Sequence, residues 1–590
     1  MKNKLKNQKA PFLVIFGASL FLILPQLLNH TLILGGDSLF HLNRIYDVYM
    51  QFKTGNFSYF QTNYGFLQSG RIINALYGPG FVYILGALLA IVHSWIKFQL
   101  ITSFLTFFIS GYTMFLLSRE MGSTKKVSIL TAILFMNSFW ITGWSLDQAF
   151  MTWGTMLVPL VVIIGLKMIK NNADGLHIIP FALIVSLLVQ VHVLSTLMSL
   201  IVLGIFFIVG MVKTTKKGQL LLKCIFAALL TLILTFNVWG SMLDVFTSNK
   251  LYAPFSELTM SNFTTSFSTS NYDFTHIGLV LSVIFALQIG LLISRNATLS
   301  LPNKIVTVLG AIFLILASNF IPWTKLGTSF TQLQSFLQFP YRFIGLATIL
   351  LLAGFGATIS SVQSKTIREY AEILLVVSSV FLLVQSYTEL QKSSESWNTS
   401  EPIMTKRYND FIGGYSDQQI KNMFASPDLG KGLKAIMNQS SDYLPNHYAG
   451  NSDAYNAPST HANRNVGDSE AYAAYGKYIN RNQAKFTKKV IGDKLVISWN
   501  AKKKSTKVHL PIVIYSESVV TLNNRDLDKN QMELSAIGTP TVTSSRVGKN
   551  TLTLAYHSTF ITAKSIMIVV VAWVISILSL VIIKIRNEHK

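Results

Sequence analysis

The chain has 590 residues, 51% of them hydrophobic and only 13% charged, with a formal net charge of +23 and a mean hydropathy of +0.44. That balance excludes an ordinary soluble enzyme and a disordered chain. The basic residues fall between apolar segments rather than in one block, which points to the cytoplasmic face of a membrane protein and away from a nucleic-acid partner.

A helix needs about 20 apolar residues to cross a bilayer. The N-terminal Lys2, Lys4, Lys6 and Lys9 place that end in the cytoplasm, so a first span at 11–29 delivers residues 30–97 to the outside. The next apolar stretch, 80–95, follows the turn Tyr77-Gly78-Pro79-Gly80. Read as a juxtamembrane helix in the outer interface, it keeps the basic loop 118–126 inside. Spans then follow near 98–117, 127–142, 153–169, 177–191, 195–212, 219–240, 277–294, 304–320, 341–361 and 371–388, with a last one at 563–585. Cytoplasmic loops hold Arg119, Lys125, Lys126, Lys213, Lys216, Lys217, Arg295, Lys304, Lys365 and Arg368, and the outer loops are 30–97, 143–152, 241–276 and 321–340. The expectation is a polytopic α-helical membrane protein of about twelve spans, with both termini in the cytoplasm. Its one cysteine, Cys224, lies in an apolar segment, so no internal disulfide or cysteine metal site is expected.

Residues 389–560 differ in kind. They are rich in Asn, Ser, Tyr and Gly, and segments such as 494–500, 507–516 and 550–557 alternate like strands. The chain therefore divides into a transmembrane domain, 1–388, an extracellular domain, 389–560, β-rich from about 484, and a final span with its basic tail, 561–590.

Candidate chemistry begins where the first span ends. A helix starting at Asp37 or Ser38 puts Leu39, Leu42, Ile45, Tyr46, Tyr49 and Phe52 on one face and His41, Arg44, Asp47 and Gln51 on the other. This predicts an amphipathic helix lying on the outer membrane surface, and its bland reading is an interface anchor capped by Asp37. Asp147 is the sole charge of the loop "TGWSLDQAFMTWGT". His192, where two spans meet, reads alone as a structural histidine, and Arg342 in "QFPYRF" reads alone as a snorkelling interface residue. Arg71 is a further outer cation. Together they gather carboxylates and cations at one membrane face. An arginine fork suits a phosphate, and a carboxylate suits a general base acting on a hydroxyl.

These patches carry a resemblance. "GGDSLFHLNRI" and "YGPGFVYILGALL" resemble the first outer loop of the GT-C superfamily of polyprenyl-phosphate-sugar glycosyltransferases, and "SLDQAF" is similar to a second-loop acidic motif of that superfamily. "QFPYRF" and "DYLP" (442–445) resemble a bacterial branch of YfhO-like membrane proteins also labelled "6-pyruvoyl-tetrahydropterin synthase related". The resemblance covers roughly 11–390 as architecture, and no Asp-x-Asp pair occurs near Asp37. It implies a GT-C-like fold in a bacterial plasma membrane. It also implies an inverting transfer of a sugar from a polyprenyl-phosphate donor to an extracytoplasmic glycan, teichoic acid, glycolipid or protein. Asp37 would be the general base and Asp147 its catalytic partner. His41, Arg44, Arg71, Tyr77, His192 and Arg342 would bind substrate, and a divalent cation shared by the two acids stays open. The rivals are a non-catalytic envelope-assembly protein and a lipid-linked-glycan transporter. The transporter needs ionisable residues near the bilayer midplane or matching inverted halves, whereas the spans hold almost no charge and no halves match.

Overall fold

Apolar length dictates the helical body. The computed structural model describes residues 2–254, 257–294, 298–402, 409–438, 440–451, 455–456 and 469–588. Arg295 of the expected basic loops, His589 and Lys590 of the tail, and parts of 389–560 lie outside the described residues.

Among the described residues, eight helices are long and apolar enough to cross a membrane: Lys9–Asn29, Trp95–Glu120, Met151–Ile169, Val193–Lys213, Lys217–Leu234, Pro340–Ser360, Lys365–Ser396 and Ala563–Arg586. A ninth is a bent pair, Lys125–Met136 and Phe139–Asp147, broken by 41°. Three expected spans are shorter helices, Ile178–Val191, Leu279–Ser294 and Leu301–Ala317, and Pro79–Val92 is a fourth short apolar helix. Pro79–Val92 apart, these helices fall on the twelve expected spans, of which eight, or nine with the bent pair, are long and apolar enough to cross by themselves. The expected span 219–240 also divides, because its helix ends at Leu234 and a second helix, Phe236–Ser248, starts beyond Thr235.

The bend in the pair has a local cause. Asn137 Nδ2 donates to the Ile133 carbonyl at 2.8 Å and Ser138 Oγ to that of Phe135 at 2.7 Å, so side chains share these carbonyls with the backbone N–H groups of the same residues. The Asn137 carbonyl is in turn met by the Tyr272 hydroxyl at 2.8 Å. Asp147 rides on the end of this second, redirected half.

The helix expected after the first span runs Ser38–Thr54, and Gly55, at φ 72°, closes it by donating to the Gln51 carbonyl at 2.9 Å. It does not lie on a surface. His41, Asn43, Arg44, Asp47 and Gln51 are as buried as Leu39, Leu42 and Ile45. The polar edge holds the rest of the loop in place. Asp47 Oδ1 accepts the Tyr64 and Gly65 amides at 2.7 and 3.1 Å, and Asn43 Oδ1 accepts that of Phe66 at 2.8 Å. The structural demand for buried partners explains why amphipathic spacing misread this helix.

Strands appear at 494–501 and 548–556, where alternation called for them, but of the expected 507–516 only Lys507–His509 is strand. Five antiparallel strands are ordered Arg525–Asp526, Ser518–Leu522, Gly548–Tyr556, Lys494–Ala501 and Thr487–Ile491, beside a three-stranded sheet of Glu533–Leu534, Pro540–Thr543 and Lys507–His509. The two sheets share a core of Leu495, Ile497, Val520, Met532, Val542 and Leu552. This unit is fastened to the 55–78 loop. Val513 N donates to the Ser69 carbonyl at 2.8 Å, Asn63 Nδ2 to that of Asp493 at 2.9 Å, and the half-buried Lys488 Nζ to that of Leu67 at 2.7 Å. A second apolar cluster, with Phe60, Ile72, Leu76, Leu444, Tyr475 and Tyr515, seals the join.

The turn before the loop helix depends on a missing side chain. A Cβ on Gly35 would collide with the carbonyl oxygen of Leu146 and the Cα of Asp147. Gly35→Ala is expected to cost about 1–3 kcal/mol through overpacking, read as a lower melting temperature in detergent. Gly175→Ala, where an added Cβ meets open space, should leave it unchanged.

Candidate functional site

The site is assembled around Asp37. Its backbone N–H donates to the Asp147 carbonyl at 3.0 Å, and Gly36 N–H donates to Asp147 Oδ1 at 2.7 Å. Gly35 N–H donates to Gln148 Oε1 at 2.8 Å. The second redirected half-helix therefore clamps the turn that presents Asp37. Asp37 stands at the N-cap position of Ser38–Thr54, yet its side chain makes no cap hydrogen bond, so the anchor reading lacks its defining contact.

Protein surrounds Asp37, while its side chain stays open to water. Those two facts describe a carboxylate lining a recess rather than one on an outer surface. Burial pushes its pKa up from 3.8 to about 7. The Asp147 charge adds to that rise, Arg342 opposes it, and Asp442 raises it further. Tyr77 and Tyr443 belong to the same neighbourhood. Burial raises both phenols, and the fields of Arg44, Arg342 and Asp442 reach both.

The three candidate arginines differ. Arg44 is fully buried. Its Nε donates to Asn74 Oδ1 at 3.1 Å, Nη1 lies 3.0 Å from His41 Nδ1, and Nη2 donates to the Tyr77 carbonyl. Its guanidinium sits 4.6 Å from the Tyr77 ring centre and 4.8 Å from that of Phe150. Burial lowers its pKa to about 10, so it stays charged at neutral pH. Arg71 is also fully buried, donating to the Asp442 carbonyl at 2.7 Å between the rings of Phe66 and Tyr475. Arg342 alone of the three keeps surface in contact with water. Its Nη1 donates to the Leu337 carbonyl at 2.6 Å and its Nη2 to Gln338 Oε1 at 3.1 Å, above the Phe339 ring.

The histidines are tied down. His41 stacks on Phe150 with ring centres 4.8 Å apart, and burial with the neighbouring Arg44 holds its imidazole well below the usual range, so it is neutral. His192 accepts the Ser195 N–H at Nδ1, 3.2 Å away, capping Val193–Lys213, which puts its proton on Nε2.

Asp442, Tyr443 and Phe150 join the site without having been candidates. Asp442 and Tyr443 lie some 400 residues from Asp37 in sequence, and no local spacing links them. One signal is backbone strain. Gln148, Gln338 and Tyr443 all adopt left-handed φ, at 55°, 56° and 61°. Each lies beside one of the charged residues facing Asp37, and such strain concentrates at functional sites. For a divalent cation, Asp37 and Asp147 are the oxygen donors at hand. Among the described residues no group of three or more His, Cys, Asp or Glu side chains could hold a metal ion.

No protein-family model and no curated protein matches the chain. Solved structures similar to it include the following three. The Archaeoglobus fulgidus oligosaccharyltransferase in complex with zinc and sulfate is 14% identical over 70% of this chain and 57% of that one, with a TM-score of 0.38. The arabinosyltransferase EmbB of Mycobacterium smegmatis is 10% identical over 93% of this chain and 63% of that one, with a TM-score of 0.38. The archaeal oligosaccharyltransferase AglB of A. fulgidus, with an inhibitory peptide and a dolichol-phosphate, is 11% identical over 75% and 61%, with a TM-score of 0.35. The chain thus spans about three fifths of the length of each, and likeness this slight carries nothing about the site.

Asp37 is expected to exchange its proton near neutrality. Between 3.8 and about 7 the folded chain keeps a proton that the unfolded chain has released. The stability this contributes is present in full below 3.8 and is lost as pH rises through about 7. Asp147→Asn removes a like charge and should lower the Asp37 midpoint, read from the carboxyl stretch in infrared difference spectra against Asp37→Asn. An unmoved midpoint would separate the two acids.

Proposed function

We propose that this protein is a membrane glycosyltransferase of the GT-C kind, acting in the recess at Asp37. The observation that carries the reading is geometric: an exposed carboxylate, Asp37, on a turn clamped by Asp147, with the water-accessible Arg342 close enough to act on its charge. The donor is a sugar on a polyprenyl phosphate. Arg342 holds the phosphate, with its lipid tail among the helices near Pro79–Val92. An acceptor hydroxyl attacks the anomeric carbon and gives its proton to Asp37. The bond from that carbon to the phosphate oxygen breaks, the lipid phosphate leaves with the electron pair, and the anomeric configuration inverts. A base with its pKa raised to about 7 suits the work at neutral pH. The face bearing 389–560 is the extracellular one, and both termini lie in the cytoplasm.

The other candidates take supporting parts in this reading. Asp147 is a positioning residue, since both its carbonyl and its carboxylate hold the 35–37 turn. Arg44, His41 and Tyr77 form the closed wall beneath the recess, and His192 caps the helix behind it. Arg71 fixes the Asp442 segment, through which the extracellular domain completes the recess.

In proteoliposomes supplied with a labelled polyprenyl-phosphate sugar, Asp37→Asn is expected to reduce transfer about 10²–10⁴-fold with no loss of melting temperature. Arg342→Gln should raise the donor KM more than it lowers kcat. Wild-type transfer that Asp37→Asn leaves intact would end the enzyme reading and favour an assembly protein.

A further inference from the structure

A groove lies away from the Asp37 recess. It encloses about 670 Å³ and opens on the segment 412–435. Its rim carries the ring of Tyr415, the amides of Gln419 and Asn422, and the ammonium groups of Lys431 and Lys434, and no carboxylate lines it. Both lysines are exposed, and neither makes an ion pair among the described residues. They stand three residues apart on the helix Gly430–Ala435, so they share a face about 5–6 Å apart at Cβ. Two unneutralised cations at that spacing can grip one phosphate together or two in succession. Beside them, amides and an aromatic ring offer the hydrogen bonds and stacking surface that a polyol or sugar uses.

The groove is built on rigid ground. Ile420, Phe424, Leu433 and Ile436 beneath it are buried in the same core as the membrane helices. A second cavity, of about 240 Å³, adjoins it, sharing Ile412 and Lys434 and lined also by Asn43 and Tyr46. Those two residues belong to the helix whose first turn presents Asp37.

We propose that this groove binds an anionic, phosphate-bearing polyol or glycan polymer and feeds it toward the recess as the acceptor. The acceptor role rests on the glycosyltransferase reading, whereas the binding does not. Charge attracts the chain, the amides and Tyr415 hold its repeating units, and the second cavity sets the direction of approach. A neutral glycan would leave both cations unused.

The test uses the full chain in lipid nanodiscs and a synthetic glycerol-phosphate oligomer, with a neutral glucan oligomer of matched length and inorganic phosphate as controls. The oligomer should bind, more weakly as salt rises, and the double variant Lys431→Gln/Lys434→Gln should weaken it at least about tenfold. Lys431→Arg/Lys434→Arg should bind as wild type, and so should Asp37→Asn. Equal binding of the glucan, equal competition by inorganic phosphate at matched phosphate content, or indifference to the double Gln variant would overturn the proposal. Lysine-dependent binding in a protein without transfer activity would sink the enzyme reading and leave the groove standing.

Discussion

A guanidinium taken out of water must have its charge and its donors answered by protein, and Arg44 imposes that condition on three separate stretches of chain. Asn74 and Tyr77 come from the first loop, Phe150 follows the redirected half-helix, and His41 belongs to its own helix. Removing any one partner would leave a buried cation short of compensation, which is a far larger cost than the contact itself is worth. The loop, the turn at Gly78 and the residues after Asp147 are therefore held to one another. The recess inherits its shape from that closure, because Asp37 begins the helix that carries Arg44.

Above this closed layer the backbone is under tension. Three non-glycine residues in left-handed conformation, at about 1–3 kcal/mol each, sit beside Asp147, Arg342 and Asp442. Ordinary packing would relax such positions. They persist because their neighbours fix them, as with Tyr443, whose N–H donates to the Tyr252 carbonyl at 2.9 Å and whose carbonyl accepts the Tyr515 hydroxyl at 3.0 Å. The charged groups around Asp37 are thus set by rigid chain rather than left to find each other.

Much of the architecture was legible in hydropathy, because a long apolar run has few alternatives to a helix. The strands at 494–501 and 548–556 announced themselves by alternation in the same way. Asp37 and Asp147 were visible as lone acids at the ends of apolar runs. What spacing could not show was depth. The period that separates Leu39 and Leu42 from His41 and Arg44 is real, yet both faces are buried, since the polar one is met by loop amides that sequence does not announce. For the same reason Arg44, Arg71 and Arg342 looked alike in the chain, although only Arg342 meets water. Asp442 and Tyr443 stood out only within the motif DYLP, and their nearness to Asp37 is wholly a property of the tertiary fold.

The fastening of the 55–78 loop has a consequence in time. Asn63 finds its partner at Asp493, 430 residues later, and Leu67 and Arg71 wait for Lys488 and Asp442. At about 5–20 residues per second, the ribosome takes roughly 20–90 s to supply them. Throughout that interval the first loop has left its span but lacks its covering, with Arg71 and the Ser69 carbonyl still hydrated. The part of the site held by Arg44 and Asp147 has all its partners early, whereas the covering of the first loop must wait for the chain beyond 440.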